Sequence, residues 1–285
     1  MIARLARDGY AMFAVAFMAL RLFQVKPWDQ SVDAYAYWST AHGPMYGQTA
    51  GLLGAYLYSP AFAQLLTPIT ILPWPVFVTI WTGLSFAALW YVLGRWSIAS
   101  MLFLPIPFEI ISGNVHLLYA AAIVAGFRTG VPWVLMLLTK VTPGVGLLWF
   151  AVRREWRPLA LAIGVTAAIA AASFALDPAA WLAWIDILRT SSSTPQTPGW
   201  FLPVPLIVRL PIAVVVAVAA GLTRRRLLVP MAVVIAMPVV WLNSFAVLAA
   251  CVPLWAADRR ARGTTAVASV THTGVGEATS SAAGA

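Results

Sequence analysis

The sequence is poor in charged residues, and this scarcity excludes an ordinary soluble domain. Only 27 of its 285 residues carry a formal charge, namely 18 Lys plus Arg and 9 Asp plus Glu, whereas about a quarter of a soluble domain is charged. Residues 34–94 and 227–257 contain none of these four residue types. Since a membrane-spanning helix needs about 20 apolar residues, the sequence predicts a polytopic membrane protein, folded as an all-α bundle of about eight to ten transmembrane helices.

Cysteine and metal-ligand patterns are scarce as well. The single cysteine, Cys251, excludes an intrachain disulfide and a cysteine metal cluster. We find no His or carboxylate spacing of the metal-site type and no glycine-rich phosphate loop, so we predict no metal and no cofactor. The net charge of +9 is carried by short basic clusters between apolar segments. This is the distribution of cytoplasmic loops in membrane proteins, and it disfavours nucleic acid as a partner.

The basic clusters determine the predicted topology. Thirteen of the 18 Lys and Arg residues fall at segment ends that we assign to the cytoplasm, together with both chain termini. The assignment requires the stretch between Arg128 and Arg153 to enter and leave by one face. Pro143 interrupts the helical hydrogen bonds there and Gly144 relaxes the backbone, so we predict a broken or re-entrant segment. Residues 1–262 are expected to form one transmembrane domain and residues 263–285 a disordered cytoplasmic tail.

Most acidic residues fall on the opposite, extracytoplasmic face in this topology. Three segments of that face carry five of the nine acidic residues, which are Asp29, Asp33, Glu109, Asp177 and Asp186. The cytoplasmic loops, by contrast, are short and basic. We therefore predict a multi-pass protein of the cell membrane whose active site opens to the outside. The outer segment 190–203 has no core-forming residues and is interpreted as mobile, with a role as a lid over an acceptor sugar.

The first outer loop begins with a pattern of carboxylates and aromatic residues. From Asp33, the spacing of Tyr35, Tyr37 and Trp38 predicts an amphipathic helix at the membrane interface. A carboxylate held at that surface is suited to act as a general base toward a lipid-bound substrate. An alternative interpretation is an aromatic belt that anchors the protein, with the aspartates in solvent.

Three motifs then resemble a known enzyme family. They are the aromatic start of the first loop followed by Tyr-x-Tyr-Ser-Pro at residues 56–60, Ser-Gly-Asn-Val-His-Leu-Leu at 112–118, and Leu-Thr-Lys-Val-Thr-Pro at 138–143. In this order they resemble the bacterial polyprenyl-phosphate-dependent mannosyltransferases of glycosyltransferase family 87, which have the GT-C fold. The resemblance covers roughly residues 25–160. The sequence departs from the family pattern at Asn114, where Gln is usual, and at His116, where Asn is usual, and the chain is short for the family.

The resemblance implies a GT-C-like fold and an inverting transfer of a sugar, mannose first and a pentofuranose second, to a lipid or glycan acceptor in the cell envelope. It also implies that an aspartate of the first loop is catalytic. Asp33 has the better-matching neighbours, and Asp29 is the second candidate.

The chemistry of such a reaction indicates further site residues. No nucleotide sugars exist outside the cell, so the donor must be a polyprenyl-phosphate sugar held in the membrane lipids. The leaving phosphate then needs cations or hydrogen-bond donors. The predicted substrate-binding residues are Tyr35, Tyr37, Glu109, Asn114, His116, Lys140, Arg189 and Arg209.

Structural roles remain open for the charged members of this set. Lys140 alternatively pairs with Glu109 or with carbonyl groups freed by Pro143, because an unpaired cation in a membrane segment costs about 2.5–3.5 kcal/mol. His116 is alternatively a hydrogen-bonded core histidine, and Arg189 and Arg209 snorkel to the interface. Two other functions compete with the transferase, namely a transporter or flippase of lipid-linked sugars and a catalytically inactive family member.

Overall fold

A computed structural model describes residues 1–26, 29–193 and 204–260. Within these residues the chain is helical and has no strands, as predicted. The first helices are α1 (Ile2–Leu22), α2 (Val32–Ser39), α3 (Pro60–Thr70), α4 (Trp74–Leu93), α5 (Pro105–Ser112) and α6 (His116–Thr129). The later helices are α7 (Val134–Thr139), α8 (Leu148–Val152), α9 (Trp156–Leu176), α10 (Pro178–Ser193), α11 (Leu206–Thr223), α12 (Leu228–Ile235) and α13 (residues 251–260). The predicted tail lies outside the described residues.

Three helical segments of the described chain are long and apolar enough to cross a membrane, namely Trp74–Trp96, Trp156–Leu176 and Leu206–Thr223. A fourth span arises if α5 and α6, which bend by 111° at residues 113–115, are counted together. The remaining helices are shorter or carry more charge. The architecture is therefore an all-α polytopic membrane bundle, in agreement with the composition.

The predicted break around Pro143 is present. Helix α7 ends at Thr139, a 3-10 helix covers Thr142–Leu147, and α8 follows directly. Lys140 lies in the extended junction between the two helical pieces. The bend between α5 and α6 falls at the outer junction expected around residues 109–116, and its turn is made by Gly113, whose φ of 71° lies in the left-handed region that favours glycine.

Helix α2 is the amphipathic helix predicted from Asp33 onward. It packs on α3, α4 and α5, and its own residues Ala34 and Tyr37 are buried in this contact. A Cβ atom at Gly113 would approach the Cβ of Ala34 to 2.7 Å, so the absence of a side chain at Gly113 allows α2 to lie directly on the α5–α6 bend. This contact brings Asp33 close to both helices.

Two further contacts fix the bend from other parts of the chain. The indole nitrogen of Trp81, on α4, donates to the Gly113 carbonyl at 2.6 Å. Arg21, at the end of α1, is 3% exposed and donates to the carbonyls of Ile110 and Ile111 at 3.1 and 2.9 Å. A cation that caps the C-terminus of a helix in this way satisfies carbonyl groups that have no partner within the helix.

Helix α10 occupies much of the segment that sequence reasoning treated as an outer loop. It begins at Pro178 and is capped by Asp177, whose carboxylate accepts from the backbone N–H of Ala180 at 3.0 Å. It packs against α9 and α3. The predicted lid falls mainly on residues 194–203, which lie outside the described part.

Candidate active site

Six of the predicted site residues come together around the α5–α6 bend. Five elements supply them: α2, α5, the turn at residues 113–115, the start of α6 and the junction after α7. We call this group the polar cluster, and its members are Asp33, Tyr37, Glu109, Asn114, His116 and Lys140.

Glu109, His116 and Lys140 form a hydrogen-bonded chain. The Nζ atom of Lys140 is 3.1 Å from His116 Nε2, and His116 Nδ1 is 2.8 Å from a carboxylate oxygen of Glu109. A lysine ammonium group can only donate, so Nε2 accepts from it and the imidazole proton is on Nδ1, which donates to Glu109. His116 is therefore neutral and bonds to both charged groups. Through it, the position of the Glu109 carboxylate determines that of the Lys140 ammonium group.

Glu109 also closes the bend. Its carboxylate accepts from the backbone N–H of His116 at 2.5 Å and from that of Leu117, which are the first residues of α6. A carboxylate at a helix N-terminus satisfies unpaired N–H groups and interacts favourably with the helix dipole. Glu109 and His116 are completely buried, so these bonds compensate the cost of placing a carboxylate in the interior.

Asn114 connects Asp33 to Tyr37, Tyr58 and the backbone of the bend. Its side-chain oxygen accepts from Tyr37 and Tyr58 at 3.4 and 3.5 Å and from the backbone N–H of Val115 at 2.8 Å. With the oxygen committed to these donors, the amide nitrogen is available to Asp33, with which Asn114 forms a side-chain hydrogen bond. The orientation of the amide is thus determined by its neighbours.

Asp33 and Lys140 are the charged members that remain partly exposed. Removal from water raises the pKa of the Asp33 carboxyl group, and the negative charge of Glu109 raises it further, while the hydrogen bond from Asn114 and the charge of Lys140 oppose these effects. A carboxylate whose pKa is raised is a stronger base than an ordinary aspartate. The cluster therefore presents an accessible base and an accessible cation side by side.

Tyr58 packs over the cation. Its ring centroid is 5.6 Å from Lys140 Nζ, within the range of a cation–π interaction, and the ring stacks on Tyr37 at 5.5 Å between centroids. At the end of α7, the hydroxyl group of Thr139 accepts from or donates to that of Tyr119. Neither Tyr58, Tyr119 nor Thr139 was assigned a role from the sequence.

Asn243 is a further residue that sequence reasoning missed. It is 7% exposed, its amide donates to the Ser112 hydroxyl at 3.0 Å, and it forms a side-chain hydrogen bond with Glu109. A signal was available, because Asn243 is the only amide residue in the 31 uncharged residues from 227 to 257. A buried amide in such a stretch needs polar partners.

Four predicted residues lie away from the polar cluster. Asp29 is exposed ahead of α2 and Arg189 is exposed on α10. Tyr35 points to another side of α2, where its ring meets Trp74 edge to face at 6.1 Å. Arg209 donates to the carbonyls of residues 204, 235, 237 and 238 at 2.7–3.1 Å. The assignment of these four residues to substrate or catalysis stays a prediction.

No group of three or more His, Cys, Asp or Glu residues that could hold a metal ion occurs in the described ranges. An apolar groove of about 470 Å³ lies between α9, α11 and the segment that starts at Thr142. Thr142 is two residues beyond Lys140, and its hydroxyl oxygen is buried without a hydrogen-bond partner among the described residues. The groove therefore begins close to the polar cluster and continues along α8.

The fold and the site together define a class of protein. It is an apolar helical membrane protein whose polar cluster, with a carboxylate and a lysine that are both partly exposed, is suited to bind a polar substrate. The sequence of the chain specifies which class this is. It matches the model of glycosyltransferase family 87 over residues 56–276, more than half of its length, and the chain belongs to this family. The matched region includes Glu109, Asn114, His116 and Lys140, whereas Asp33 precedes it. Neither a curated protein nor a solved structure matches the chain.

Proposed function

We propose that this family 87 glycosyltransferase transfers a sugar, mannose by family resemblance, from a polyprenyl-phosphate donor to a lipid or glycan acceptor of the cell envelope. The reaction takes place on the extracytoplasmic face of the cell membrane, with both termini in the cytoplasm and a GT-C-like domain over residues 1–262. The observation that carries the proposal is the partly exposed Asp33 carboxylate beside Lys140 and Asn114.

Asp33 acts as the general base in this mechanism. It takes the proton of the acceptor hydroxyl group while the acceptor oxygen forms a bond to the anomeric carbon of the donor sugar. The bond between that carbon and the phosphate oxygen breaks, and its electrons stay with the phosphate. A single displacement of this kind inverts the configuration at the anomeric carbon.

Lys140 stabilises the departing phosphate. Charge accumulates on the phosphate as the glycosidic bond breaks, and a fixed cation at that point stabilises the transition state. The hydrogen bond between Lys140 and His116 holds the ammonium group in place before the donor arrives. In this proposal, the bonds from Glu109 and Asn114 position the cation and the base relative to each other.

The apolar groove supports a lipid-linked donor. Its lining consists almost entirely of apolar residues of the segment 142–151, α9 and α11, and its first lining residue, Thr142, is two positions beyond Lys140. An isoprenoid chain in this groove would leave its phosphate at the polar cluster. The unpaired hydroxyl group of Thr142 is suited to donate to that phosphate.

Replacing Asp33 by Asn tests the proposal. Asparagine keeps the size of the side chain but cannot accept the proton, so we expect sugar transfer from radiolabelled polyprenyl-phosphate mannose to fall at least about 100-fold, the usual contribution of a general base. Donor binding and the thermal unfolding midpoint should change little. Asp8→Asn, at an exposed aspartate of α1 that pairs with Arg7, is the matched control. Undiminished transfer in Asp33→Asn contradicts the assignment of the base.

A second assay distinguishes the proposed transferase from the two competing functions. Transport or flipping of a lipid-linked sugar, the competing function, would move the labelled donor across the membrane without transfer to an acceptor. Detection of labelled product in the wild-type protein distinguishes the enzyme from a flippase and from an inactive family member.

A further inference from the structure

A second cavity, of different chemistry, lies between the turn at residues 46–50 and α10. It has a volume of about 350 Å³, which is in the range of small-ligand pockets. Its polar lining residues are Tyr46, Gln48, Thr49, Asp186, Thr190 and Ser191. This cavity was not anticipated from the sequence, although Thr190 and Ser191 belong to the segment that was interpreted as a lid over an acceptor sugar.

The lining offers mainly hydrogen-bond acceptors. Asp186 contributes a carboxylate, and the hydroxyl group of Ser191 donates to a backbone carbonyl within α10 and can still accept through its oxygen. The Gln48 amide adds both a donor and an acceptor. Such a lining suits a neutral ligand with several O–H groups. It does not suit a phosphate, which the carboxylate repels, nor an isoprenoid chain, which would leave the polar groups unpaired.

The wall of the cavity is hydrogen-bonded to Tyr58, which also contacts the polar cluster. The hydroxyl group of Tyr46, in the cavity wall, donates to the Tyr58 carbonyl at 2.8 Å. The ring of Tyr58 faces the cluster, with its hydroxyl 3.5 Å from the Asn114 oxygen and its face toward Lys140. Tyr58 thus contacts a residue of the cavity wall through its backbone carbonyl and the polar cluster through its side chain.

Helix α10 is attached to the same segment. The indole nitrogen of Trp184 donates to the Leu57 carbonyl at 3.1 Å, so both walls of the cavity are hydrogen-bonded to consecutive residues of one short stretch. The relative position of the two walls and the polar cluster is therefore held by residues 57 and 58.

We propose that this cavity binds a sugar unit of the acceptor. The inference rests on the proposed transferase activity and adds a location for the second substrate: the lipid-linked donor lies in the apolar groove, and the acceptor glycan reaches Asp33 from the opposite side of Tyr58. The two substrates then approach the polar cluster by separate routes. Asp186 and Gln48 are the residues that hold the acceptor sugar through its hydroxyl groups.

The test measures sugar binding apart from transfer. Full-length protein in detergent micelles is titrated with methyl mannoside and with methyl arabinofuranoside, and the fluorescence of the tryptophans, including Trp184 beside the cavity, reports binding. We expect Asp186→Asn and Gln48→Ala to weaken binding about tenfold, the loss of one hydrogen bond to a charged or polar group. Asp8→Asn should bind as the wild type does. The absence of saturable binding in the wild type, or equal affinity in Asp186→Asn, overturns the proposal.

Transfer kinetics then separate this inference from the proposed function. If the cavity holds the acceptor, Asp186→Asn and Gln48→Ala raise the KM for the acceptor and leave the KM for the polyprenyl-phosphate donor unchanged. Transfer with an unchanged acceptor KM overturns the acceptor site and leaves the enzyme assignment intact. Glycoside binding that depends on Asp186 in a protein without transferase activity supports the sugar site and contradicts the enzyme.

Discussion

At the residue scale, the polar cluster shows how a few ionisable groups share one compact site. Asp33 and Glu109 are two carboxylates in different surroundings: Glu109 is enclosed and spends its oxygens on α6 and His116, while Asp33 is partly exposed. Pairs of titratable groups whose environments differ in this way are typical of acid–base sites. In the proposed mechanism, Glu109 therefore has a structural role and Asp33 is the carboxylate that meets the substrate.

This difference predicts a pH dependence. The pKa of Asp33 is raised by burial and by the charge of Glu109, and only the ionised carboxylate can act as a base. Transfer should therefore decline as the pH falls through a pKa above the usual aspartate value, and activity should be fully present above it. The Glu109→Gln variant removes the neighbouring charge, so the acidic limb of kcat/KM should move to lower pH.

The measurement is the pH profile of kcat/KM in the wild type and in Glu109→Gln. The Glu155→Gln variant, at a carboxylate that pairs with Arg153, is the control and should keep the wild-type profile. An acidic limb at the ordinary aspartate value, or an identical limb in Glu109→Gln, would show that Asp33 is not the titrating base.

At this scale, a polar residue that interrupts an apolar stretch is easy to recognise in the sequence. Glu109, His116 and Lys140 stood out for that reason, and the structure brings them together. Asn243 did not stand out, because its partners are distant in sequence and an amide carries no charge. The positions of Arg209 and Tyr35 were equally hidden, since spacing along a chain does not show which face of the bundle a side chain meets.

At the scale of elements, the contact between α2 and the α5–α6 bend determines where Asp33 lies. We expect Gly113→Ala to displace α2, because its φ of 71° strains any other residue and its Cβ would meet Ala34 at 2.7 Å. The variant should lower the free energy of unfolding by about 1–3 kcal/mol and reduce transfer. The thermal unfolding midpoint in detergent and the transfer rate measure both effects.

Gly164 in α9 is the matched control, since a Cβ there meets nothing within 4 Å. Gly164→Ala should leave transfer unchanged and keep or slightly raise stability, because alanine favours a helix by about 1 kcal/mol. Wild-type behaviour of Gly113→Ala would contradict a close α2–bend contact.

The groove along α11 makes a prediction about the donor. Val214 lines it, whereas the next residue, Val215, is 67% exposed and is not among the lining residues. Val214→Trp should raise the KM for a long-chain polyprenyl-phosphate donor because the indole fills the groove, and it should affect a donor with a short chain less. Val215→Trp is the control. Equal KM values for long- and short-chain donors in Val214→Trp would exclude this groove as the lipid site.

Hydropathy predicted most of the helices but not how they bend. Apolar stretches of the sequence predicted α4, α9 and α11, and Pro143 predicted the break after α7. The charge topology placed a junction around residues 109–116, but the geometry of the turn at Gly113 could not be predicted, because residues 105–129 are apolar almost throughout. The deciding interactions, from Trp81, Arg21 and Ala34 to the turn at Gly113, come from elements far away in the sequence.

At the scale of the whole molecule, the charge distribution predicts the orientation in the membrane. In a variant whose only cysteine, Cys251, is replaced by serine, Gly43→Cys should react in intact cells with a maleimide reagent that does not cross the membrane. Arg225→Cys should react only after the membrane is permeabilised. Both positions are exposed in the structure, so access to the reagent depends on the side of the membrane. The reverse labelling pattern would place the polar cluster on the cytoplasmic side.

The bond between Ser112 and Asn243 joins residues 131 positions apart, and this separation has a consequence for biosynthesis. A ribosome that has just delivered α5 and α6 to the translocon has not yet made the amide that Ser112 and Glu109 will bind. During that interval the Glu109 carboxylate has only the N–H groups at the start of α6 and the His116 ring as partners. Both follow Glu109 within a few residues of the sequence. We therefore expect local capping to stabilise the nascent hairpin first, and the Asn243 amide to join it only after α12 has been made.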